Sequence, residues 1–528
     1  MAWYCRSFAV SSELEGKALW LECEGIDYIA EVWVNGRKVI RHEGGYTPFK
    51  ARVGSLVRYG GENTLVVRVD SRHNSKTLPQ GDGVNLAIDW PYTAGIFRPI
   101  RVLACPKEHL NDIWVSSFVA GRGPARVEVE VAVTHEDATP GAEAVHLFLT
   151  DPDGGEVAEK KVPLPTGDAI ARASARFELA SCAAWTPDTP NLYRLNAVLE
   201  RTGGSATDSL SLRVGIRQIE IRDGEIWLNG EKLPLNGAGR VEYFPVLSRS
   251  LCGSVSRRDY FCLKEINGNS YRSAGYCPQI SEVELADELG ILIFCDIPCP
   301  KAQTPETEEA LKDPLLISKG ELMLREAIDQ FKNNPSIFAW DLGTEMPVHT
   351  DQCYAYYRNG YRVAKSLDPT RPVFFVDNWG FYDPPRKMGK CGEFSDLIWV
   401  YIGYGWWVHG GDPGTSIAET DRVLELIHKT NPGKPLIVDF VGGHAIHGHP
   451  AEFEVMWTES YQAMFFERMF ELLRSKSYVK GCQVWPLNEY RTLQSIVRAF
   501  YHYAGLYTVL RSPKQIVASV KKRYGQAA

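Results

Sequence analysis

Short runs of alternating apolar and polar residues fill the first part of the chain and predict β-strands. Such runs lie at 18–25, 31–36 and 63–70, and Gly and Asn residues separate them. The Asn-Gly pair at 35–36 is the residue pair preferred in two-residue β-hairpin turns. Residues 1–107 are therefore predicted to form a β-sandwich.

A second segment with strand-like patterning follows at 108–219. Residues 126–133, with the sequence R-V-E-V-E-V-A-V, alternate as a half-buried strand does. The runs V-H-L-F-L-T and A-R-F-E-L-A come after it. We expect a second, smaller β-sandwich in this part of the chain.

From about residue 220 the pattern changes to strands that alternate with helices, which predicts a parallel sheet or a barrel. Residues 280–290 and 321–331 have apolar positions at helical spacing, and Gly290 is the residue type that commonly ends a helix. The intervening run I-L-I-F-C-D-I-P at 291–298 is typical of a buried strand.

Composition narrows the class of protein. The 528 residues suffice for about three domains. A net charge of −7 argues against a nucleic acid or a membrane surface as partner, because both favour a basic patch. No apolar run approaches the length of about 20 residues that spans a membrane. The 12 Cys form no C-x-x-C pair and the N-terminus has no signal pattern, which together predict a reducing, cytoplasmic location.

The stretch N-N-P-S-I-F-A-W-D-L-G-T-E at 333–345 carries the clearest candidate chemistry. A turn leads into a short apolar run, and the run ends on the carboxylate of Glu345. This pattern predicts a buried barrel strand that presents an acid at its C-terminal end. In (β/α)8 barrels the active site lies at that end of the strands.

The stretch resembles the acid/base strand of glycoside hydrolase family 2, which contains β-galactosidases, β-glucuronidases and β-mannosidases. Three further segments, H-E-G-G-Y-T-P-F at 42–49, D-W-P-Y-T-A-G-I-F-R-P-I at 89–100 and R-V-G-I-R-Q-I-E at 213–220, resemble parts of the same family. The resemblance implies a jelly-roll sugar-binding domain at 1–107, an immunoglobulin-like β-sandwich at 108–219 and a (β/α)8 TIM barrel at 220–528.

Most glycosidases use two carboxyl groups, one on each side of the scissile bond. Glu345 matches the acid/base of the family. The segment K-P-L-I-V-D-F-V-G-G at 434–443 matches the strand of the nucleophile, but it places Phe440, not Asp439, at the position of the nucleophilic Glu. Neighbouring strand residues point to opposite faces, so Asp439 needs a bulge or a one-residue slip to replace it.

Three interpretations of this departure stay open. In the first, a bulge re-aims Asp439 and it acts as nucleophile. In the second, another carboxylate or a water molecule takes the second role, with inversion at the sugar. In the third, the barrel is catalytically silent.

The resemblance implies further residues of a sugar pocket. Thr344 stands where the family has an Asn that binds the sugar 2-hydroxyl, so it would need a water or a closer sugar. Arg240 and Arg272 are kept and are candidates to orient the carboxylates, or to form structural salt bridges. The remaining candidates are Asp89 and Trp90 on a loop from the jelly roll, Tyr401 or Tyr404 beside the nucleophile, Trp485 as a floor for the sugar, and Glu489 as a spare carboxylate.

Other departures concern the same pocket. Val241 and Gly275 replace His residues that are usual in the family. The β-glucuronidase branch has an Asn-x-Lys that holds the substrate carboxylate, whereas residues 502–505 are H-Y-A-G. A buried uronate without a cation is costly, which argues against a glucuronide unless Arg491 or Arg498 compensates.

We predict an exo-acting β-glycosidase, of the retaining type, that takes a terminal sugar from a small glycoside or oligosaccharide. Glu345 is its predicted acid/base, and Asp439 is the first candidate for its nucleophile. The alternative is a non-catalytic carbohydrate-binding or scaffolding protein on the same fold. No cofactor is predicted, because no phosphate-binding or dinucleotide motif is present. The His cluster at 444–449 has no fixed partner for a metal site. The resemblance is compatible with a homo-oligomer.

Overall fold

A computed structural model describes residues 1–79, 94–119, 121, 123–135, 141–165, 170–201, 203–299, 305–380, 390–449, 453–492 and 500–526, with backbone only at 305–306 and 379–380. Asp89, Trp90 and Arg498 of the predicted site lie outside these residues. The described chain forms two antiparallel β-sandwich regions followed by a closed barrel of parallel strands. This is the predicted fold class, and the prediction is confirmed.

The first region contains three sheets, with strand orders β1-β7-β4-β5, β6-β2-β9 and β3-β8. The predicted hairpin at Asn35 and Gly36 joins β4 to β5, and both residues have the positive φ that such a turn requires, +48° and +80°. The strands are β1 (Ala2–Val10), β2 (Ala18–Cys23), β3 (Ile26–Asp27), β4 (Ile29–Val34), β5 (Arg37–Glu43), β6 (Phe49–Arg52), β7 (Gly61–Asp70), β8 (Gly95–Ile96) and β9 (Ile100–Cys105).

The second region packs a sheet of order β10-β11-β14 against one of order β13-β12-β15-β16. The alternating run at 126–133 lies in the central strand β11, where its valines are buried. The strands are β10 (Glu108–Val119), β11 (Ala125–His135), β12 (Ala142–Thr150), β13 (Glu156–Pro163), β14 (Ile170–Leu179), β15 (Tyr193–Arg201) and β16 (Ala206–Val214). A small sheet of β17 (Ile219–Arg222), β18 (Glu225–Leu228) and β19 (Glu231–Lys232) leads into the barrel.

The barrel closes in chain order, from β20 next to β21 round to β27 next to β20. Its strands are β20 (Leu235–Gly239), β21 (Ser270–Arg272), β22 (Leu292–Cys295), β23 (Ile337–Thr344), β24 (Val373–Gly380), β25 (Ile398–Ile402), β26 (Leu436–Val441) and β27 (Val479–Val484). Its helices are α1 (Gly253–Glu265), α2 (Ile280–Leu289), α3 (Pro305–Ala310), α4 (Pro314–Phe331), α5 (Asp351–Leu367), α6 (Pro413–Thr430), α7 (Glu459–Arg474) and α8 (Ile516–Tyr524).

The bounds of helices α2 and α4 can be compared with those predicted from the sequence. Helix α2 ends at Gly290, whose φ of +67° is that of the predicted C-cap. Helix α4 begins seven residues before the predicted 321, because Asp313 caps it through the N–H of Leu315 and Pro314 starts its first turn. The helical periodicity alone does not reveal this first turn.

Buried polar contacts join the first sandwich to the barrel. Arg98, on the jelly-roll side, is 5% exposed. Its Nη2 donates to the carbonyl of Cys277 at 2.6 Å and lies 3.3 Å from Oε1 of Glu242. Burial raises the pKa of the Glu242 carboxyl to about 7, against the opposing effect of Arg98. The first sandwich thus covers one side of the barrel, and its Arg98 supplies a cation beside a buried carboxyl group of the barrel.

Candidate functional site

Glu345 directly follows β23 at the C-terminal end of the barrel. Its N–H donates to the carbonyl of Val376 on the adjacent strand at 2.9 Å, and its side chain is half-buried. The φ of Glu345 is +57°, a left-handed conformation that costs a non-glycine residue about 1–3 kcal/mol. Backbone strain of this kind is concentrated at functional sites, so it fits the predicted catalytic position.

Strand β26 has a bulge at the position where the sequence comparison departs. Val438 pairs with Cys482 and Val441 pairs with Val484, so two residues of β26 face one residue of β27. Phe440 takes a left-handed φ of +66° within this bulge. The bulge that Asp439 needed is therefore present, and it also re-aims Phe440.

The carboxylate of Asp439 is fully buried and points into the barrel. Its Oδ2 accepts a hydrogen bond from Nε1 of Trp399 at 2.9 Å and one from Nη1 of Arg272 at 3.4 Å. Its Oδ1 accepts the N–H of Phe440 at 2.5 Å. Burial raises the pKa of Asp439 to about 6, although Arg272 and the hydrogen bonds oppose this shift.

Asp439 belongs to a group that we call the arginine network: Arg272, Asp296, Asp341 and Asp439, all with no exposed surface. Nη2 of Arg272 lies 2.6 Å from Oδ2 of Asp296 and 4.0 Å from Oδ2 of Asp341. One guanidinium cannot neutralise three carboxylates. Burial, together with the charge of Asp296, therefore holds the pKa of Asp341 well above its usual range.

Tyr401 and Thr344 join this network. Nη1 of Arg272 donates to the phenol oxygen of Tyr401. Burial raises the pKa of Tyr401 well above its usual value, and the charges of Asp439 and Glu345 act in the same direction. Tyr401 therefore lies within electrostatic reach of both predicted catalytic carboxylates.

Phe440 lies among aromatic side chains at the ends of three neighbouring strands. Its ring stacks on Trp485 with centroids 4.8 Å apart, and it contacts Tyr401 at 4.6 Å and Trp406 at 5.0 Å. We call Tyr401, Trp406, Phe440 and Trp485 the aromatic floor. Trp485 thus has the phenyl ring of Phe440 as its neighbour at the end of β27.

Three other predicted residues have structural partners. Arg240 binds Asp259 and Glu282 at 3.0 and 2.9 Å, and all three are buried. Glu489 pairs with Lys514 at 2.5 Å, so it is not a spare carboxylate. Tyr404 stacks on His409. Of the two candidate tyrosines, it is Tyr401 that contacts Arg272.

Sequence reasoning missed Asp296, Asp341, Trp399 and Trp406. A signal for the first two was available, because a lone Asp inside an otherwise apolar strand run is unusual unless it is paired. Trp406 follows β25 in the sequence G-W-W, and nothing in that pattern says which of the two rings faces the site.

Among the described residues, no group of three metal-binding side chains occurs and no helix has the length and hydrophobicity of a membrane span.

Family models match all three parts of the chain. The model "Glycosyl hydrolases family 2, TIM barrel domain" matches residues 219–528, "Glycosyl hydrolases family 2" matches 108–217, and "Glycosyl hydrolase 2 galactose-binding domain-like" matches 1–105.

Curated relatives and solved structures agree with these matches. A β-glucuronidase of Paenibacillus borealis is 29% identical over 99% of this chain and 87% of its own length. A β-galactosidase of Thermoanaerobacter pseudethanolicus is 28% identical over 97% of this chain and 63% of its own length. The structure of a β-glucuronidase from Ruminococcus gnavus in complex with uronic isofagomine has a TM-score of 0.90 and 26% identity, and it covers 99% of this chain and 88% of that one.

Proposed function

The chain belongs to glycoside hydrolase family 2 and is an exo-acting β-glycosidase, and we propose that Glu345 is its acid/base. The observation that carries this proposal is the position of Glu345 at the C-terminal end of β23, in a strained left-handed conformation and within electrostatic reach of Tyr401. The enzymatic relatives favour this reading over the non-catalytic alternative.

In this proposal Glu345 first protonates the departing glycosidic oxygen and then removes a proton from the attacking water. The transition state carries positive charge near the anomeric carbon. Asp439 supplies a nearby negative charge that stabilises it. Both oxygens of Asp439 accept hydrogen bonds and its carboxylate has no exposed surface, which favours this electrostatic role over a covalent bond to the sugar.

The decisive experiment is release of phenols from a panel of aryl β-glycosides by wild type, Glu345→Gln and Asp439→Asn. With a poor leaving group, Glu345→Gln is expected to lose about 10³-fold or more in kcat/KM. With dinitrophenol, which leaves without a proton, the loss in the first step is much smaller. Asp439→Asn is expected to lose about 10- to 10²-fold and to lose the rise of activity near pH 6.

Glu321→Gln is the control, since it removes a carboxylate that pairs with Arg325 on the exposed surface of α4. If Glu345→Gln keeps wild-type activity on poor leaving groups, Glu345 is not the acid/base. If wild type cleaves no glycoside in the panel, the proposed activity itself fails.

A cytoplasmic location and a homo-oligomer are also part of the proposal. All 12 Cys are unpaired, which supports a reducing compartment. Family members commonly form homo-oligomers, and light scattering on the purified protein tests that expectation here. A monomeric mass would remove it without affecting the proposed chemistry.

A further inference from the structure

The place where the family has its nucleophile is apolar in this chain. Phe440 lies in the bulge of β26, between Trp406, Trp485 and Tyr401, and the residue is 3% exposed. The carboxylate next to it in sequence, Asp439, is turned into the arginine network. A covalent bond from the enzyme to the sugar therefore has no donor on this side of the site among the described residues.

The aromatic floor contains two polar groups without a partner. The indole N–H groups of Trp406 and Trp485 are buried, and neither has an acceptor within the described part of the chain. A buried donor without an acceptor costs about 1–3 kcal/mol, so native structures rarely keep one without a reason. A ligand that brings an oxygen acceptor into the floor would remove this cost.

The residue expected to bind the sugar 2-hydroxyl is occupied. The hydroxyl of Thr344 donates to Oδ2 of Asp341 at 3.0 Å and accepts from Nη2 of Arg272 at 2.8 Å. Its only proton is used in the arginine network, and its residue is 2% exposed. The site therefore lacks the donor predicted for a 2-hydroxyl, which points to a different substituent on C2 of the sugar.

We propose that the substrate carries an acetamido group on C2, and that the carbonyl oxygen of this group is the nucleophile. The inference rests on the proposed function of Glu345. It deepens that function by naming the substrate class, the terminal 2-acetamido-2-deoxy-β-glycosides.

An acetamido group matches the floor better than other common sugar substituents. Its methyl is apolar and suits the rings of Phe440, Trp406 and Trp485, and its carbonyl is an acceptor for an indole N–H. A hydroxyl would leave the rings without an apolar partner. A carboxylate is a poorer match, because its charge would be buried against apolar rings, and the described cations Lys514 and Arg511 are already paired with Glu489 and Asp259.

The chemistry needs no enzyme nucleophile. A lone pair of the carbonyl oxygen forms a bond to C1 while the bond from C1 to the leaving oxygen breaks, and Glu345 gives its proton to that oxygen. The products are an alcohol and a sugar that carries an oxazolinium ring. Glu345 then takes a proton from water as the water oxygen bonds to C1. The bond from C1 to the carbonyl oxygen breaks at the same time, and its electron pair returns to the amide. Substrate-assisted hydrolysis of this type is known among glycosidases.

The first experiment compares matched aryl glycosides that differ only at C2. The 4-nitrophenyl β-glycosides of the gluco and galacto series are tested with a 2-acetamido and with a 2-hydroxyl group. We expect the acetamido member of one pair to be cleaved at least about 10²-fold faster in kcat/KM. Faster cleavage of the hydroxyl members overturns this inference and leaves the proposed function standing. Cleavage of neither also overturns this inference, and the wider panel of aryl β-glycosides then decides the proposed function separately.

The second experiment identifies the nucleophile directly in the wild-type protein. Fluorine atoms on the acetyl methyl weaken the carbonyl oxygen as a nucleophile without changing the sugar. If that oxygen attacks C1, kcat falls steadily from acetyl to trifluoroacetyl, by about 10²-fold or more in total. A flat series would show that the acetamido group is bound but does not react, and would overturn the inference.

The third experiment tests the floor with two matched variants. Trp406→Phe removes one unpartnered N–H and keeps a ring. Trp407→Phe makes the same replacement of an indole by a phenyl ring one residue later, at a position that is not part of the floor. We expect Trp406→Phe to raise KM or lower kcat for the acetamido substrate by about 10-fold, while Trp407→Phe does neither. Equal effects of the two variants would contradict a role for the floor in binding the acetamido group.

Discussion

Asp439 and Phe440 are consecutive residues of β26, yet they belong to two regions of opposite character. Asp439 lies in the arginine network, where three carboxylates surround one guanidinium. Phe440 lies in the aromatic floor, where rings pack at centroid distances of about 5 Å. The bulge separates the two regions, because it lets two consecutive side chains reach different partners.

The comparison teaches how an active site changes without loss of its fold. The arginine network holds three buried carboxylates around one guanidinium and links strands β21, β23 and β26. The aromatic floor is apolar and meets that network at Tyr401. In the proposed mechanism the departure at Phe440 alters the chemistry of the site, while the barrel still closes in chain order.

The largest expected effect comes from removal of the cation of the network. Arg272→Met leaves buried carboxylates without their guanidinium, and loss of one partner of a buried charge pair costs about 3–5 kcal/mol of unfolding free energy. Urea denaturation followed by circular dichroism measures it. Arg325→Met, which breaks an exposed helical pair with Glu321, is the control and should cost less than about 0.5 kcal/mol. Equal losses would contradict a special role for the network.

The next effect is a pH dependence that belongs to Asp439. Because its pKa is raised to about 6 in the folded protein, the folded state holds this proton more tightly than the unfolded state. The stabilisation from this tightly held proton is present below about pH 4. It is lost as the pH rises through 6, which lowers the free energy of unfolding by on the order of 3 kcal/mol. Urea denaturation of wild type and Asp439→Asn between pH 4.5 and 7 measures this difference.

Asp70→Asn is the control for that experiment. Hydrogen bonds from Arg72 lower the pKa of Asp70 to about 2, so Asp70 does not titrate in this pH range. Asp439→Asn should flatten the loss of stability toward neutral pH, and Asp70→Asn should leave it unchanged. Parallel curves for wild type and Asp439→Asn would mean that Asp439 is already ionised at pH 4.5.

A smaller effect is expected from the floor. Phe440→Leu keeps an apolar side chain but removes the ring contacts to Tyr401, Trp406 and Trp485, and we expect a loss of about 1–2 kcal/mol. The near-ultraviolet circular dichroism of the tryptophans should change with it. Phe453→Leu is the control, since Phe453 is 70% exposed. A loss as large as that of Arg272→Met would show that the floor and the network are not separable.

The fold was largely accessible from the sequence. The hairpin at Asn35 and Gly36, the cap at Gly290 and the alternation of strands and helices after residue 220 depend on neighbours in the chain. These local signals also placed Glu345 at the end of a strand. The start of α4 was not predicted, because no apolar periodicity marks an N-cap such as Asp313.

The site was less accessible, because its contacts join distant parts of the chain. Arg272 meets Tyr401 and Asp439 across 129 and 167 residues, and no spacing rule connects them. The sequence predicted that a bulge was needed at Asp439. It did not predict that the same bulge would place Phe440 against Trp485 and leave Asp439 beneath it. The roles of Glu345 and Asp439 stay predictions until the variants are measured.

Arg98 also limits where the chain can be cut into separate fragments. The guanidinium belongs to the first sandwich in sequence, but it completes the polar interior of the barrel through Glu242 and Cys277. A gene fragment that encodes only residues 220–528 would leave Glu242 with the longer contact to Arg249, at 3.7 Å, as its remaining ion pair. Recombination that exchanges the N-terminal sandwich for another would therefore have to bring an arginine to this place.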